Sequence, residues 1–288
     1  MEPRLNDELN WSKSTFLHRS QAGVTTGVYF FEVEKAPVVV KPYWDAQSEL
    51  LANTLAHAVG LRVPAMRLER AGATYLRRVL KQDKDVPVLV MQRIHGSSFT
   101  DVNPKTIQSF TDGSHVSRQR IKALGHICAF DYFIGNSDRF PVRGLNGLNT
   151  GNLMVDDTGF VCIDNTLVTP LLLATSTWVK DFKKSLTQAL STLEAKGDPR
   201  WSDQALSPIV DFLADAPQAS WTIIRAAFLD GFRAGSWQVA GLSTQQLNRA
   251  IVTSHRHLKP IVPEVRAFLE NNLRAFKKAH SIWGAPPL

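Results

Sequence analysis

Apolar residues in the first third of the chain come in short runs, not in helical stripes. The segment 27–34, GVYFFEVE, alternates weakly and is rich in aromatic and β-branched residues, and PVVVK follows at 37–41. Such residues pack well on a sheet surface, so two strands are predicted, joined through Glu34, Lys35 and Ala36. The period then changes. Leu50, Leu51, Thr54, Leu55 and Ala58 repeat at helical spacing, which predicts a helix over 45–59 stopped by Gly60. A short strand is predicted over 64–68, and a stronger one over 86–94, where VPVLVMQRI runs into His95-Gly96.

From about Thr106 the pattern turns helical. Over 117–134, Ile121, Leu124, Ile127, Cys128 and Ile134 share one broad face, which predicts a central buried helix. A stretch rich in Gly, Asn, Asp and Pro follows at 135–151. Two short apolar runs, 153–155 and 160–163, flank Asp157-Thr158-Gly159 and predict a β-hairpin. Further helices are predicted over 178–193, 207–214, 220–234 and 263–279, the last with Pro263 at its start. The switch from strand-rich to helix-rich falls near 95–105, with no linker suited to independent domains. The expectation is one α+β catalytic unit over 1–288, with a smaller β-rich lobe (1–95) and a larger helical lobe (96–288).

Composition adds exclusions. With 44% hydrophobic and 20% charged residues, 17 Gly and 15 Pro, the chain is neither collagen-like, coiled-coil nor wholly disordered. Its +7 charge is mild for 288 residues and selects no partner. Cys128 and Cys162 both sit in apolar runs, so buried thiols in a reducing compartment are expected. The segment MEPRLNDELNWSKS has no apolar core, and no run approaches the ~18 apolar residues of a membrane helix. A cytoplasmic protein is expected, with delivery as a secreted effector by a signal-independent route left open.

The densest polar constellation is FDYFIGNSDRFPVRGLNGLNTGNLMVDDTGFVCIDN, residues 130–165. Taken singly, Asp138, Asn149 and Asn152 read as turn caps. Taken in order, an Asp, an Asn and a hairpin ending in Asp164 could bring together one acid to orient a hydroxyl and an Asn–Asp pair to hold Mg²⁺. Phosphoryl transfer needs those roles, because the attacking hydroxyl must be aligned while charge spreads over the transferring oxygens. Hard carboxylate and amide oxygens suit Mg²⁺. Upstream, Lys41 ends a run of three valines and could reach phosphates, and Glu49 could hold it by an ion pair. The polar loop SQAGVTTG places Ser20, Gly23, Thr26 and Gly27 where backbone donors and hydroxyls could cover nucleotide phosphates. His57, His95 and His126 are scattered and form no zinc motif. Basic residues of the last helix read as a solvated face, and no nucleic-acid module is present.

Across roughly residues 18–168 the chain resembles the catalytic domain of actin-fragmin kinase, an atypical protein-kinase-like family related in layout to phosphatidylinositol kinases. The resembling stretches are GVYFFEVEKAPVVVKPY, SELLANTLAHAVGLRVPAMRL, VLVMQRIHG, and AFDYFIGNSDR continued through NTGNLMVDDTGFVCIDN. The resemblance implies a two-lobed protein-kinase-like fold that uses ATP and Mg²⁺. It implies that Lys41 contacts the ATP phosphates, that Glu49 positions Lys41, and that Met91, Gln92, Arg93 and Ile94 form the interlobe segment receiving adenine. By the same resemblance Asp138 is the catalytic aspartate, Asp164 the principal metal ligand, and Asn152 a second ligand, with Asn149 competing for that place. Arg139 is left between orienting phosphate and packing against the catalytic loop.

The ordinary kinase signatures GxGxxG, HRDxxxxN, DFG and APE are absent. Asp138 and Asn152 lie fourteen positions apart, against about five in the ordinary catalytic loop. An atypical Mg²⁺-dependent serine/threonine protein kinase is therefore expected. A lipid or small-molecule kinase is the enzymatic rival, and a pseudokinase interaction module the non-enzymatic one. The expected partner is a protein substrate, actin or another cytoskeletal protein by resemblance. A lipid acceptor stays open, and nucleic acid is not expected.

Overall fold

Both faces of the N-terminal sheet carry apolar cover at its centre, which is why the strands at 37–41 and 86–94 read as runs and not as alternations. The computed structural model describes residues 9–20, 27–42, 46–70, 78–80, 87–102, 106, 109, 110, 112–140, 150–193, 218–255 and 262–283. Strands β1 (Ser14–Ser20), β2 (Val28–Val33), β3 (Ala36–Lys41), β4 (Met66–Arg70) and β5 (Pro87–Gln92) form one antiparallel sheet in the order β1-β2-β3-β5-β4. Phe31, Val38, Val40, Val88 and Val90 face one way, onto Leu9, Trp11 and Leu80. Val28, Phe30, Val39, Leu89 and Met91 face the other, onto Ala46 and Leu50 of helix α1 (Ala46–Ala58). By strand alternation Lys41 shares this second face with Val39.

The turn from β2 to β3 is tight. Glu34 and Lys35 both take positive φ (52° and 71°), the conformation of a two-residue type I′ hairpin. Helix α1 ends at Gly60 as its sequence predicts, but it serves two cores. Leu51, Leu55, Ala56 and Val59 are buried in the main helical core, while Leu50 turns to the sheet. Just beyond α1, the Arg62 carbonyl accepts the Cys162 N–H at 2.9 Å. Its guanidinium grips both oxygens of Asp156 at 3.0 and 2.6 Å. The two lobes are thus tied by backbone and by charge.

Helices dominate the second part: α2 (His115–Ile134), α3 (Pro170–Leu173), α4 (Ser176–Ser191), α5 (Gln218–Gly241), α6 (Thr244–His255) and α7 (Pro263–Trp283). A small sheet pairs β6 (Ser97–Ser98), which precedes α2, with the hairpin of β7 (Leu153–Asp156) and β8 (Gly159–Cys162) between α2 and α3, in the order β6-β7-β8. Helices α2 and α5 cross in backbone contact. A methyl group on Gly125 would run into the Phe228 carbonyl, and one on Gly231 into the Lys122 carbonyl. This sheet-rich N-terminal and helix-rich C-terminal pairing is a bilobal protein-kinase-like α+β fold.

Strands β1 and β6 and helices α3 and α6 are additions to the sequence-based expectation. β1 is an edge strand whose interior residues are all exposed, so it carries no burial pattern to read. The helix expected over 207–214 lies outside the described residues. Cys128 and Cys162 are free and buried, and burial pushes the Cys162 thiol up to about 11. Among the described residues no helix is long and apolar enough to cross a membrane.

Candidate active site

The site is assembled from both lobes. Lys41 stands at the end of β3, and its side chain is 13% exposed, so it is not the solvent-facing edge charge that a strand-end lysine usually is. Its ammonium donates to Glu49 Oε1 at 3.0 Å from the first turn of α1, where Glu49 is itself buried. Lys41 also pairs with the Asp164 carboxylate, which follows β8. One ammonium therefore joins the sheet, α1 and the C-terminal lobe.

The second half of the site is the loop after α2. Gly135 caps α2 in the left-handed conformation (φ 71°) and turns the chain into Asn136-Ser137-Asp138-Arg139. A side chain there would also strike the Phe268 ring. Asn272 of α7 donates to the Phe133 carbonyl at 2.9 Å, anchoring the end of α2 from the far side. Asp138 is exposed, and Asn152 Nδ2 donates to its Oδ2. That orientation leaves the Asn152 amide oxygen as the atom available to a cation.

Asp164 adopts φ 52°, a left-handed conformation that Asp tolerates better than most residues. The peptide before it is held on both sides. Ile163 N–H donates to the Asn152 carbonyl, and the Ile163 carbonyl accepts from Arg139 Nη1, both at 3.1 Å. Arg139 itself is wholly buried and forked onto Asp131 of α2, at 3.0 Å from Nε and 2.6 Å from Nη2. Burial raises the Asp131 carboxyl above its ordinary range, with Arg139 pulling against that shift. Burial works against the Arg139 charge too, but Asp131 outweighs it and holds the guanidinium above its ordinary value. Of the two roles open to Arg139, the fold selects packing against the loop.

Ser20 pairs with Val28 and Tyr29 with Val40, so β1 ends and β2 begins at the end of the sheet where Lys41 stands. Ser20 ends β1, and Gly27 takes φ 81° as the chain re-enters β2. Gly23, Thr26 and Asn149 lie outside the described residues. Of the expected interlobe segment, Met91 and Gln92 belong to β5, and Met91 is packed in the sheet. The N–H groups of Gln92 and Arg93 donate to the Ala65 and Pro37 carbonyls at 2.9 and 3.3 Å, so neither is free for an adenine. The Arg93 guanidinium lies over the Phe30 ring at 5.4 Å, and His18 stacks on the same ring at 4.4 Å. Ile94 follows as linker.

Sequence reasoning did not reach Asp131, Asn272, His18 or Phe30. Asp131 alone carried a signal: an acid inside the apolar run ICAFDYFI must find a partner if that face is buried. Among the described residues, no three His, Cys, Asp or Glu side chains gather into a metal-holding group. A Mg²⁺ held jointly with nucleotide phosphates asks for less. The half-exposed carboxylate of Asp164 and the amide oxygen of Asn152 are hard donors of the kind it accepts, with water and phosphate completing the shell.

A family model described as "Actin-fragmin kinase, catalytic" matches residues 5–167. No curated protein matches the sequence. Among solved structures, the proinflammatory kinase CtkA of Helicobacter pylori is similar at 14% identity and a TM-score of 0.50, covering 98% of this chain and 100% of its own. At that identity the likeness is one of fold. HipA of Shewanella oneidensis MR-1, from a toxin–antitoxin complex with HipB and operator DNA, aligns at 12% identity and a TM-score of 0.37 over 93% of this chain and 63% of its own. The aminoglycoside phosphotransferase APH(4)-Ia aligns at 10% identity and a TM-score of 0.34 over 96% of each chain.

Proposed function

The chain belongs to the actin-fragmin kinase catalytic family, and from that premise we propose that it is a Mg²⁺-dependent ATP phosphotransferase acting on serine or threonine hydroxyls of a protein. The observation that carries the proposal is the joining of Glu49, Lys41 and Asp164 across the lobes, with Asn152 and Asp138 paired beside them. A general structural charge pair would not need one lysine shared by two carboxylates from different lobes.

In this reading Glu49 keeps the Lys41 ammonium extended toward the nucleotide phosphates, where it neutralises charge. Asp164 and the Asn152 amide oxygen would hold Mg²⁺, which supplies charge neutralisation and orientation of the phosphates. Asp138 accepts a hydrogen bond from the acceptor hydroxyl and aligns it for in-line attack, while its contact with Asn152 fixes the carboxylate. Most of the rate enhancement is then preorganised electrostatics. The single unit spanning 1–288, the cytoplasmic setting and actin as the first protein acceptor to try belong to the same proposal.

The test is transfer from γ-labelled ATP into a broad protein mixture, with parallel lipid and small-metabolite arms, using wild type, Asp138→Ala and Asp164→Ala. Wild type is expected to label protein, with both variants losing most of the label. Equal labelling in all three removes the proposed site. Label confined to lipid or metabolite moves the acceptor class, and ATP binding without transfer in any arm identifies a pseudokinase.

A further inference from the structure

Building on the phosphotransferase reading, we propose that Asp131 and Arg139 form a buried strut that sets Asp138 at its working distance from Asp164. Arg139 is then a positioning residue for transfer. The strut starts from one carboxylate. Asp131 Oδ1 accepts from Asn136 Nδ2 at 3.1 Å and from Arg139 Nη2 at 2.6 Å, and its Oδ2 accepts from Arg139 Nε at 3.0 Å. Asn136 in turn accepts the Asp138 N–H on its Oδ1 at 3.1 Å. The backbone of Asp138 thus hangs between two residues that are both fixed to Asp131.

The other end of the strut is the third arm of the guanidinium. Arg139 Nη1 holds the Ile163 carbonyl at 3.1 Å, and the Asn152 carbonyl holds the Ile163 N–H at 3.1 Å. The next residue, Asp164, sits at φ 52°, a conformation that persists only where the surroundings over-determine it. Arg139 is 0% exposed, with Nε, Nη1 and Nη2 all committed, so it has no arm left for a phosphate.

Stability alone is a poor reason for this pair. Buried ion pairs are often matched or bettered by apolar residues of similar volume. What apolar residues cannot do is grip one carboxylate with two parallel bonds and a distant carbonyl with a third. A planar guanidinium can, and a lysine cannot.

The test is the volume-matched double variant Asp131→Leu/Arg139→Met, which removes both charges together. Its unfolding midpoint is expected to fall by no more than about 10 °C, because the charges leave together and only the Asn136 amide and the Ile163 carbonyl lose a partner. Mg²⁺-free ATP binding should be unchanged, since Lys41 and Glu49 are untouched. A displacement on the order of 1 Å should lower kcat about 100-fold, with the acceptor KM nearly constant. The Mg²⁺ concentration giving half-maximal rate should rise several-fold. Arg139→Lys, which keeps a charge beside Asp131, is assayed well below its own unfolding midpoint and should show the same kcat loss.

A folded double variant, or Arg139→Lys, with wild-type kcat and Mg²⁺ dependence overturns the strut. If wild type transfers phosphate to nothing, the phosphotransferase reading fails, and amide hydrogen exchange still decides the strut. Exchange at Asp138 and Ile163, whose N–H groups are held by Asn136 and Asn152, should quicken in the double variant, and unchanged exchange there overturns it.

Discussion

The ammonium of Lys41, from the sheet-rich lobe, is paired with the carboxylate of Asp164, from the helix-rich lobe. Neither residue is near the other in sequence, and each has a second tether. Glu49 holds Lys41 from α1, and the clamped Ile163 peptide holds Asp164. In the proposed reaction this contact joins the lysine assigned to the phosphates to the carboxylate assigned to the divalent cation.

Removing Lys41 leaves Glu49 behind as a charge that is 6% exposed. Lys41→Met is expected to lower the stability by about 3–5 kcal/mol, the usual cost of breaking a buried pair from one side. Lys41→Met/Glu49→Leu should recover most of that loss while leaving ATP binding weak. Urea midpoints and ATP titrations of the two variants check both halves, and a double variant no more stable than the single one contradicts the pairing.

Asp138 and Asp164 should fail in different ways. Asp138→Asn keeps a polar group against Asn152 but loses the acceptor for the hydroxyl proton, so kcat should fall about 10²–10⁴-fold with ATP affinity retained. Asp164→Asn should instead lose the part of ATP affinity that Mg²⁺ supplies. Calorimetric titration with and without Mg²⁺, beside steady-state rates, separates the two.

Gly231 and Gly241 lie on the same helix, α5, in opposite surroundings. A Cβ on Gly231 meets the Lys122 backbone, whereas nothing lies within 4 Å of one on Gly241. Gly231→Ala should cost about 1–3 kcal/mol or more, because backbone cannot step aside as a side-chain tip can. Gly241→Ala should be neutral or stabilising by up to about 1 kcal/mol. Chemical denaturation of both variants decides the contrast.

Stability should also depend on pH through His126. Burial lowers its folded pKa below the ordinary value, against a hydrogen bond with the Val59 backbone that works the other way. Below about pH 6.5 the unfolded chain takes up a proton that the folded one refuses. The stability is thus full above that pH and declines as pH falls through the window beneath it. The slope from this one group cannot exceed about 1.4 kcal/mol per pH unit. Unfolding curves at pH 8, 6.5 and 5.5 should show a shallower decline for His126→Leu than for wild type, and equal slopes would exclude His126 as the cause.

Some elements were legible and others were not, for identifiable reasons. Helix α1 showed its period because one stripe is polar, and β3 and β5 showed as runs because both faces are buried. β1 was silent because its interior residues are all exposed. Helix α6 carries its start signal in the sequence. Ser243 and Gln246 form a reciprocal capping box, with Oγ accepting the Gln246 N–H at 3.0 Å and Oε1 accepting the Ser243 N–H at 2.8 Å. For the site, the strand end at Lys41 and the hairpin end at Asp164 were visible as charges closing apolar runs.

By itself, then, the sequence determined the order of strands and helices over most of the chain and which polar residues close them. Local period and turn chemistry are short-range properties, and the chain states them directly. Only the tertiary structure decided that Lys41 meets Asp164, that Asn152 turns its amide nitrogen to Asp138, and that Arg139 goes wholly inward to Asp131. A charge in a sequence has no burial. It acquires one, with a partner and a role, when distant segments close around it and the cost of leaving it unpaired forces the choice.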